Sequence, residues 1–253
     1  MPDDDSPGWA AYTRQVLGYA PDVVFTSEDY GDAYAHHLGC RHVLVDRERV
    51  QVPISGTALR ADPLAHREFL EPCVRAYFVK RVALVGAESS GTTTMARALA
   101  THYRDIWVPE YGRAYSEEKM RRPEASAWRP EEFVHIARRQ CEMEDMAARE
   151  TDRVLLCDTP AFATSLWHER YLGTLSPEVE AIAAPYHYDL YLLTGVDIPF
   201  VQDGTRDGEH IRHRMHRRFV EWLTAHHRPF TLLSGPHEER LRAATRRVDA
   251  LLV

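Results

Sequence analysis

The sequence predicts an α/β fold, a parallel sheet with helices on both faces. Three observations predict it. Short apolar runs, Val82 to Val85, Ile106 to Pro109, Val154 to Cys157, Leu190 to Leu193 and Phe230 to Leu233, alternate with helical patterns; strands that are apolar throughout are strands covered on both faces. The first run breaks at Gly86 into a Ser/Thr-rich turn that ends at Gly91 and gives way to a helix-forming stretch, Met95, Ala96, Ala98, Leu99 and Ala100. Acids stand just past the second and third runs, at Glu110 and Asp158, where ligands collect in parallel sheets.

The 253 residues suffice for one large α/β domain, or for a domain plus a fragment of another. Residues 1–79 hold two strand candidates, Val23 to Thr26 and Val43 to Val45, around a helix-compatible stretch from Asp29 to Leu38. That segment has αβ character but is too short for a doubly wound domain. Leu64 to Lys80, broken by Pro63 and Pro72, reads as the link, with the second domain expected over 80–253. Pro130 at a first helical turn, then Phe133, Ile136, Ala137, Cys141 and Met146, predicts one apolar helix face.

Composition removes several function classes. At 44% hydrophobic and 27% charged residues, with no apolar run of about 18 residues, a membrane span is not expected. The acidic, Pro/Gly-containing start from Met1 to Gly8 is the opposite of a secretory leader, which places the chain in the cytoplasm as an expectation. Four dispersed cysteines, Cys40, Cys73, Cys141 and Cys157, suggest neither disulfides nor zinc. A net charge of -7 argues against a nucleic-acid partner.

Gly86 and Gly91 have the spacing of the P-loop pattern G-x-x-x-x-G-K-[ST], in which backbone N–H groups and a helix N-terminus wrap anionic oxygens. On that pattern Gly86, Glu88, Ser89, Ser90, Gly91, Thr92, Thr93 and Thr94 form a cradle for ATP, and Thr93 offers a magnesium hydroxyl. Thr92 stands where the pattern has lysine, so the cation that normally reaches the terminal phosphates is missing from the loop.

Val154 to Cys157 ending in Asp158 forms a second magnesium pattern, with a helix cap near Pro160 as its plainer reading. Glu110 is placed to accept the proton of an attacking hydroxyl, and Arg113 to hold substrate; a surface ion pair between the two is the alternative. Five arginines between Arg206 and Arg218 follow a glycine-containing loop. Arg206 and Arg212 are the expected lid pair over the phosphates, against the alternative of a solvated helix face. His210, His213 and His216 read as solvated, and Trp167-His168-Glu169-Arg170 is not a zinc motif. Tyr111, Trp128, Trp167 and Tyr171 are candidates for stacking on an aromatic substrate ring, and Gln140 and Arg138 for meeting a ribose or base. Ser55, Gly56, Thr57 and Arg60 make either a phosphate-binding helix start or an ordinary N-cap with a solvated charge.

These blocks in this order, Pro21 to Glu28, Ile54 to Arg60, Tyr77 to Gly91, Glu110-Tyr111-Gly112-Arg113, Asp158-Thr159 and Asp203 to Arg206, resemble the NadR family of bifunctional nicotinamide-nucleotide adenylyltransferases and ribosylnicotinamide kinases. The resemblance implies a partial Rossmann-like nucleotidyltransferase segment followed by a P-loop kinase that phosphorylates nicotinamide riboside with ATP and magnesium. Glu110, Tyr111, Arg113 and Gln140 are then the substrate side, and Glu110, Asp158, Arg206 and Arg212 the catalytic set. The family's H-x-G-H-type motif has no counterpart here, so adenylyl transfer is expected to be absent, and Ala114 stands where the family has an acid. A nucleotide-binding pseudokinase with a regulatory role is the competing expectation. A first segment short of strands leaves a sheet edge, which is a reason to expect a partner chain such as a second copy.

Overall fold

A computed structural model describes residues 4–121, 127–202 and 208–252. The chain divides into two compact units, 1–63 and 64–253.

In the first unit, helix α1 (Ser6–Leu17) is followed by strand β1 (Val23–Thr26), helix α2 (Gly31–Leu38), strand β2 (Arg41–Leu44) and a short helix α3 (Gly56–Ala61). β1 and β2 run parallel, with Val23 opposite Arg41 and Thr26 opposite Leu44. A polar relay ties the three central elements together: His42 bonds Thr26 Oγ1 through Nε2 at 2.9 Å and Asp32 through Nδ1 at 2.7 Å. α1 is absent from the sequence expectations, because its opening residues read as irregular. Those residues are a helix start instead. The Asp5 carboxylate accepts from the Gly8 N–H at 2.9 Å, Pro7 occupies the first turn, and Gly18 closes the helix at φ +77°. Ser55 caps α3 by accepting from the Ala58 N–H at 3.0 Å, as its plainer reading has it.

The second unit begins with a 3-10 turn (Arg67–Phe69) and helix α4 (Pro72–Phe78), which lead into strand β3 (Lys80–Gly86). The unit boundary therefore falls after Pro63, not at 79/80. The reason is packing: α4 lies on a later helix, Ala76 touches the main core and Val79 is buried in it. The remaining elements are α5 (Thr92–Tyr103), β4 (Trp107–Val108), α6 (Tyr111–Met120), α7 (Pro130–Glu150), β5 (Val154–Asp158), α8 (Ala161–Leu172), α9 (Pro177–Ala183), β6 (Leu190–Thr194), α10 (Glu209–Ala225), β7 (Phe230–Leu233) and α11 (His237–Asp249).

The five strands are all parallel in the order β4-β5-β3-β6-β7. Alternate side chains feed two layers. Ala83, Val85, Leu155, Cys157 and Leu193 pack toward α8 and α10, while Val82, Leu84, Leu156 and Leu192 pack toward α5 and α11. Burial of both faces is why the strands read as unbroken apolar runs. The chain leaves β3 toward β5 on one side and β6 on the other, so the loop after β3 sits at the switch point where parallel sheets take ligands. On α7 the inward stripe is Phe133, Ile136, Ala137, Gln140, Cys141, Glu144 and Ala148. Met146 lies off that helical spacing and is 62% exposed, which corrects its assignment to the apolar face.

Candidate active site

The loop after β3 is shaped by constraints on its backbone. Gly86 admits no side chain, since a Cβ there would meet Thr194 Oγ1 at 2.1 Å and Ser90 Oγ at 2.5 Å. Ser89 and Gly91 adopt left-handed conformations, φ +56° and +92°, and Gly91 precedes α5 without a side-chain cap. The first α5 backbone N–H groups therefore remain available, with Met95 N to Gly91 O at 3.0 Å closing the first helical bond. Such a terminus attracts anions through its N–H groups and its dipole.

The loop is also held from beneath. Ser90 Oγ donates to the Ala87 carbonyl at 2.6 Å and pairs with Thr194 Oγ1 at 2.6 Å. Arg240, buried at the start of α11, donates to the carbonyls of Ser90, Gly195 and Gly235 at 2.8, 3.2 and 2.8 Å and to the Asp197 carboxylate at 2.5 Å. Ser90 thus serves the loop's floor, whereas Gly86, Glu88, Ser89, Gly91, Thr92, Thr93 and Thr94 line the open cleft. Ser89 Oγ accepts from the Val201 N–H at 2.8 Å.

That cleft has a volume of ≈ 610 Å³. Its wall includes the two acids expected at the strand ends. Asp158, opposite Leu84 in the sheet, is fully buried and accepts from Thr93 Oγ1 at 2.6 Å and from Thr159 Oγ1 at 3.3 Å. It does not cap the next helix, for Pro160 stands at that position with no side-chain bond. Burial raises the Asp158 carboxyl above its ordinary range, and the hydroxyls of Thr93, Thr159 and Thr92 oppose that shift. Glu110 precedes the first residue of α6 and is pushed up to about 8, first by burial and then by the Asp158 charge, with Arg113 pulling the other way. Both acids line the cleft, and the charge of Asp158 favours the protonated form of Glu110. Thr159 adopts φ +54°, a strained conformation for a β-branched residue, directly beside Asp158.

Arg113 lines the cleft and donates through Nε to Glu117 at 2.9 Å. Gln140 is buried on α7 with both ends of its amide engaged: Oε1 accepts from the Tyr111 N–H at 2.9 Å and Nε2 donates to Glu144 at 3.1 Å. Gln140 thereby fixes the turn that carries Glu110 while its flank meets the cleft. The Tyr111 ring turns away to His135, with its hydroxyl 3.1 Å from Nε2, and is not part of the cleft wall. Arg138 pairs with Glu178 at 2.9 Å on the exposed side of α7.

The lid expectation is altered. Arg206 lies outside the described residues. Arg212 is 1% exposed and donates through Nη2 to the Ile198 carbonyl at 2.7 Å. It falls on the inward stripe of α10 with Ile211, Met215, Phe219 and Leu223, so helical spacing turns it away from an open lid face.

At the other end of the cleft, aromatic rings gather. Trp128 lies 5.1 Å from Phe133 and 5.4 Å from Tyr171, the latter pair tilted by 33°, and Trp167 completes the wall. Phe133, Arg97, Trp107, Thr159 and Thr164 are lining residues that the sequence expectations do not include. Arg97 was legible through one signal, its position four residues after Thr93 on the same helix face.

Comparison with known proteins bears on the family and the fold. The family described as AAA domain matches residues 81–240, well over half of the chain. The chain belongs to that family. It is also 34% identical over 207 residues to the trifunctional NAD biosynthesis/regulator protein NadR of Escherichia coli (strain K12), and equally to that of Salmonella typhimurium (strain LT2). Those matches cover 79% of this chain and 50% of each relative, so the chain spans about half the length of the curated relatives it matches. A crystal structure of NadR protein in complex with NR superposes with a TM-score of 0.73 over 99% of this chain and 75% of the other, at 19% identity. NadR protein in complex with NAD and AMP-PNP gives 0.69, again over 99% of this chain and 74% of the other, at 19% identity. The α/β fold and the resemblance to NadR read from the motifs both stand. Among the described residues, no helix is long and apolar enough to cross a membrane.

Proposed function

We propose that the chain is an ATP-dependent kinase that phosphorylates nicotinamide riboside or a closely similar nucleoside. One observation carries the reading: a phosphate cradle, an acid pair and an aromatic wall share a single cleft. The P-loop and the α5 terminus would bind the phosphates. Thr93 Oγ1 and the Asp158 carboxylate, 2.6 Å apart, form an oxygen-only donor pair that fits a hard divalent cation such as magnesium, whose other ligands are phosphate and water. Bound Mg-ATP supplies the phosphoryl group and neutralises its charge.

In its ionised form Glu110 takes the proton as the acceptor hydroxyl oxygen bonds to the γ-phosphorus, and the bond to the β-bridging oxygen breaks to release ADP. Trp128, Phe133 and Tyr171 would hold the flat, positively charged pyridinium ring, for which aromatic faces are suited. Support from relatives is the similarity to NadR and to a NadR structure in complex with NR. The first compact unit, residues 1–63, is assigned, as part of the same proposal, to a nucleotidyltransferase-like segment.

Thr92 favours a second reading, a nucleotide-binding pseudokinase, because it occupies the lysine position. Incubation with nicotinamide riboside and Mg-ATP, with products separated by mass, tests the choice. Formation of nicotinamide mononucleotide is expected. ATP binding without any phosphorylated product would favour the pseudokinase.

A further inference from the structure

The loop lacks its lysine, and the structure shows where an alternative positive charge stands. We propose that Arg97 supplies the charge that contacts the terminal phosphate of ATP in place of the absent lysine; the inference rests on the nucleotide-binding reading of the cleft.

Arg97 belongs to α5, the helix that begins with Thr92, and its side chain lines the same cleft as Thr92, Thr93 and Asp158. The spacing of four residues puts it on the face of Thr93, one turn farther along. Its Cα is about 7.5 Å along the axis from that of Thr92. Helical side chains lean toward the N-terminus, so a long side chain at 97 covers the turn that carries Thr93.

The guanidinium is also uncommitted to any carboxylate. Its recorded neighbour is the face of Trp107, 4.9 Å from the ring centroid, and among the described residues no acid pairs with it. Stacking holds the plane of a guanidinium while leaving its N–H edge open to phosphate oxygens. The other arginines near the loop are engaged. Arg113 is paired with Glu117, Arg212 holds the Ile198 carbonyl, and Arg240 is saturated beneath the loop.

The test combines equilibrium binding and turnover in the full chain. Affinities for Mg-ATP and Mg-ADP are measured for the unaltered protein, Arg97→Met, Arg97→Lys and the double variant Arg97→Met/Thr92→Lys. Methionine keeps the packing on Trp107 and removes the charge. The expectation is that the unaltered protein prefers ATP, that Arg97→Met loses this preference about tenfold and its kcat about a hundredfold, that Arg97→Lys retains most of both, and that Thr92→Lys repairs Arg97→Met. An Arg97→Met protein that keeps its preference for ATP overturns the proposal, as does an unaltered protein that binds ATP and ADP alike. If the preference depends on Arg97 but no riboside is phosphorylated, the assignment of Arg97 stands and the kinase reading falls.

Discussion

The two ends of the cleft are built differently. At the phosphate end, buried bonds hold the loop from below: Ser90 with Thr194, and Arg240 with three carbonyls and Asp197. At the acceptor end, α6 buries none of its residues and is tied to α7 by side-chain bonds, Gln140 to the Tyr111 N–H, the Tyr111 hydroxyl to His135, and Tyr115 and Lys119 to Glu132. The difference teaches a division of labour. On the proposed function, phosphate binding would rest on a preorganised backbone, which lowers the reorganisation needed at reaction, while the acceptor side would rest on side-chain contacts between two helices.

Substitutions can break this contrast, beginning with the largest expected effect. Asp158→Asn keeps the shape but removes the charge beside Thr93; kcat should fall by about three orders of magnitude or more in a coupled assay for ADP release. Arg240→Met leaves three carbonyls and the half-exposed Asp197 without their donor. It should cost about 2–4 kcal/mol in urea denaturation and weaken ATP binding as the floor of the loop loosens.

Trp128→Ala acts on the other end only. It should raise KM for nicotinamide riboside about tenfold, leave the affinity for Mg-ATP unchanged, and so separate the two halves in steady-state kinetics. A further effect concerns pH. Glu110 ionises near 4.5 in the unfolded chain and at about 8 when folded. Between those values the folded state holds the proton that the unfolded state has lost, so stability is greatest below about 4.5 on this account and falls as pH rises toward 8. Thermal unfolding of the metal-free protein across that window should show the decline, and Glu110→Gln should flatten it.

How far the sequence reveals this molecule depends on whether the controlling interactions are local. Gly86 and Gly91 mark the loop because strand, turn and helix follow one another in the chain, and Asp158 announces itself by ending an apolar run. Long-range commitments stay hidden. Nothing near Arg240 in sequence tells that it holds Ser90, 150 residues away. Buried Glu144 and Gln140 resemble solvated helix residues until α7 is laid against Tyr188 and Tyr111. The burial of Arg212 stayed hidden for the related reason that an arginine on an inward stripe looks, in composition, like any other member of a basic run. Pro63 shows in the sequence as a break, but the packing of α4 on α7, which puts the link into the second unit, leaves no mark in composition.

The central claim is that the phosphate cradle and the aromatic wall serve one reaction. Its most direct test is the stoichiometry of product formation by the unaltered chain supplied with Mg-ATP, with and without nicotinamide riboside. The account predicts that ADP and nicotinamide mononucleotide appear together in a ratio of about one to one and that ADP formation depends on the riboside. Bound ATP that yields no riboside-dependent ADP would contradict it.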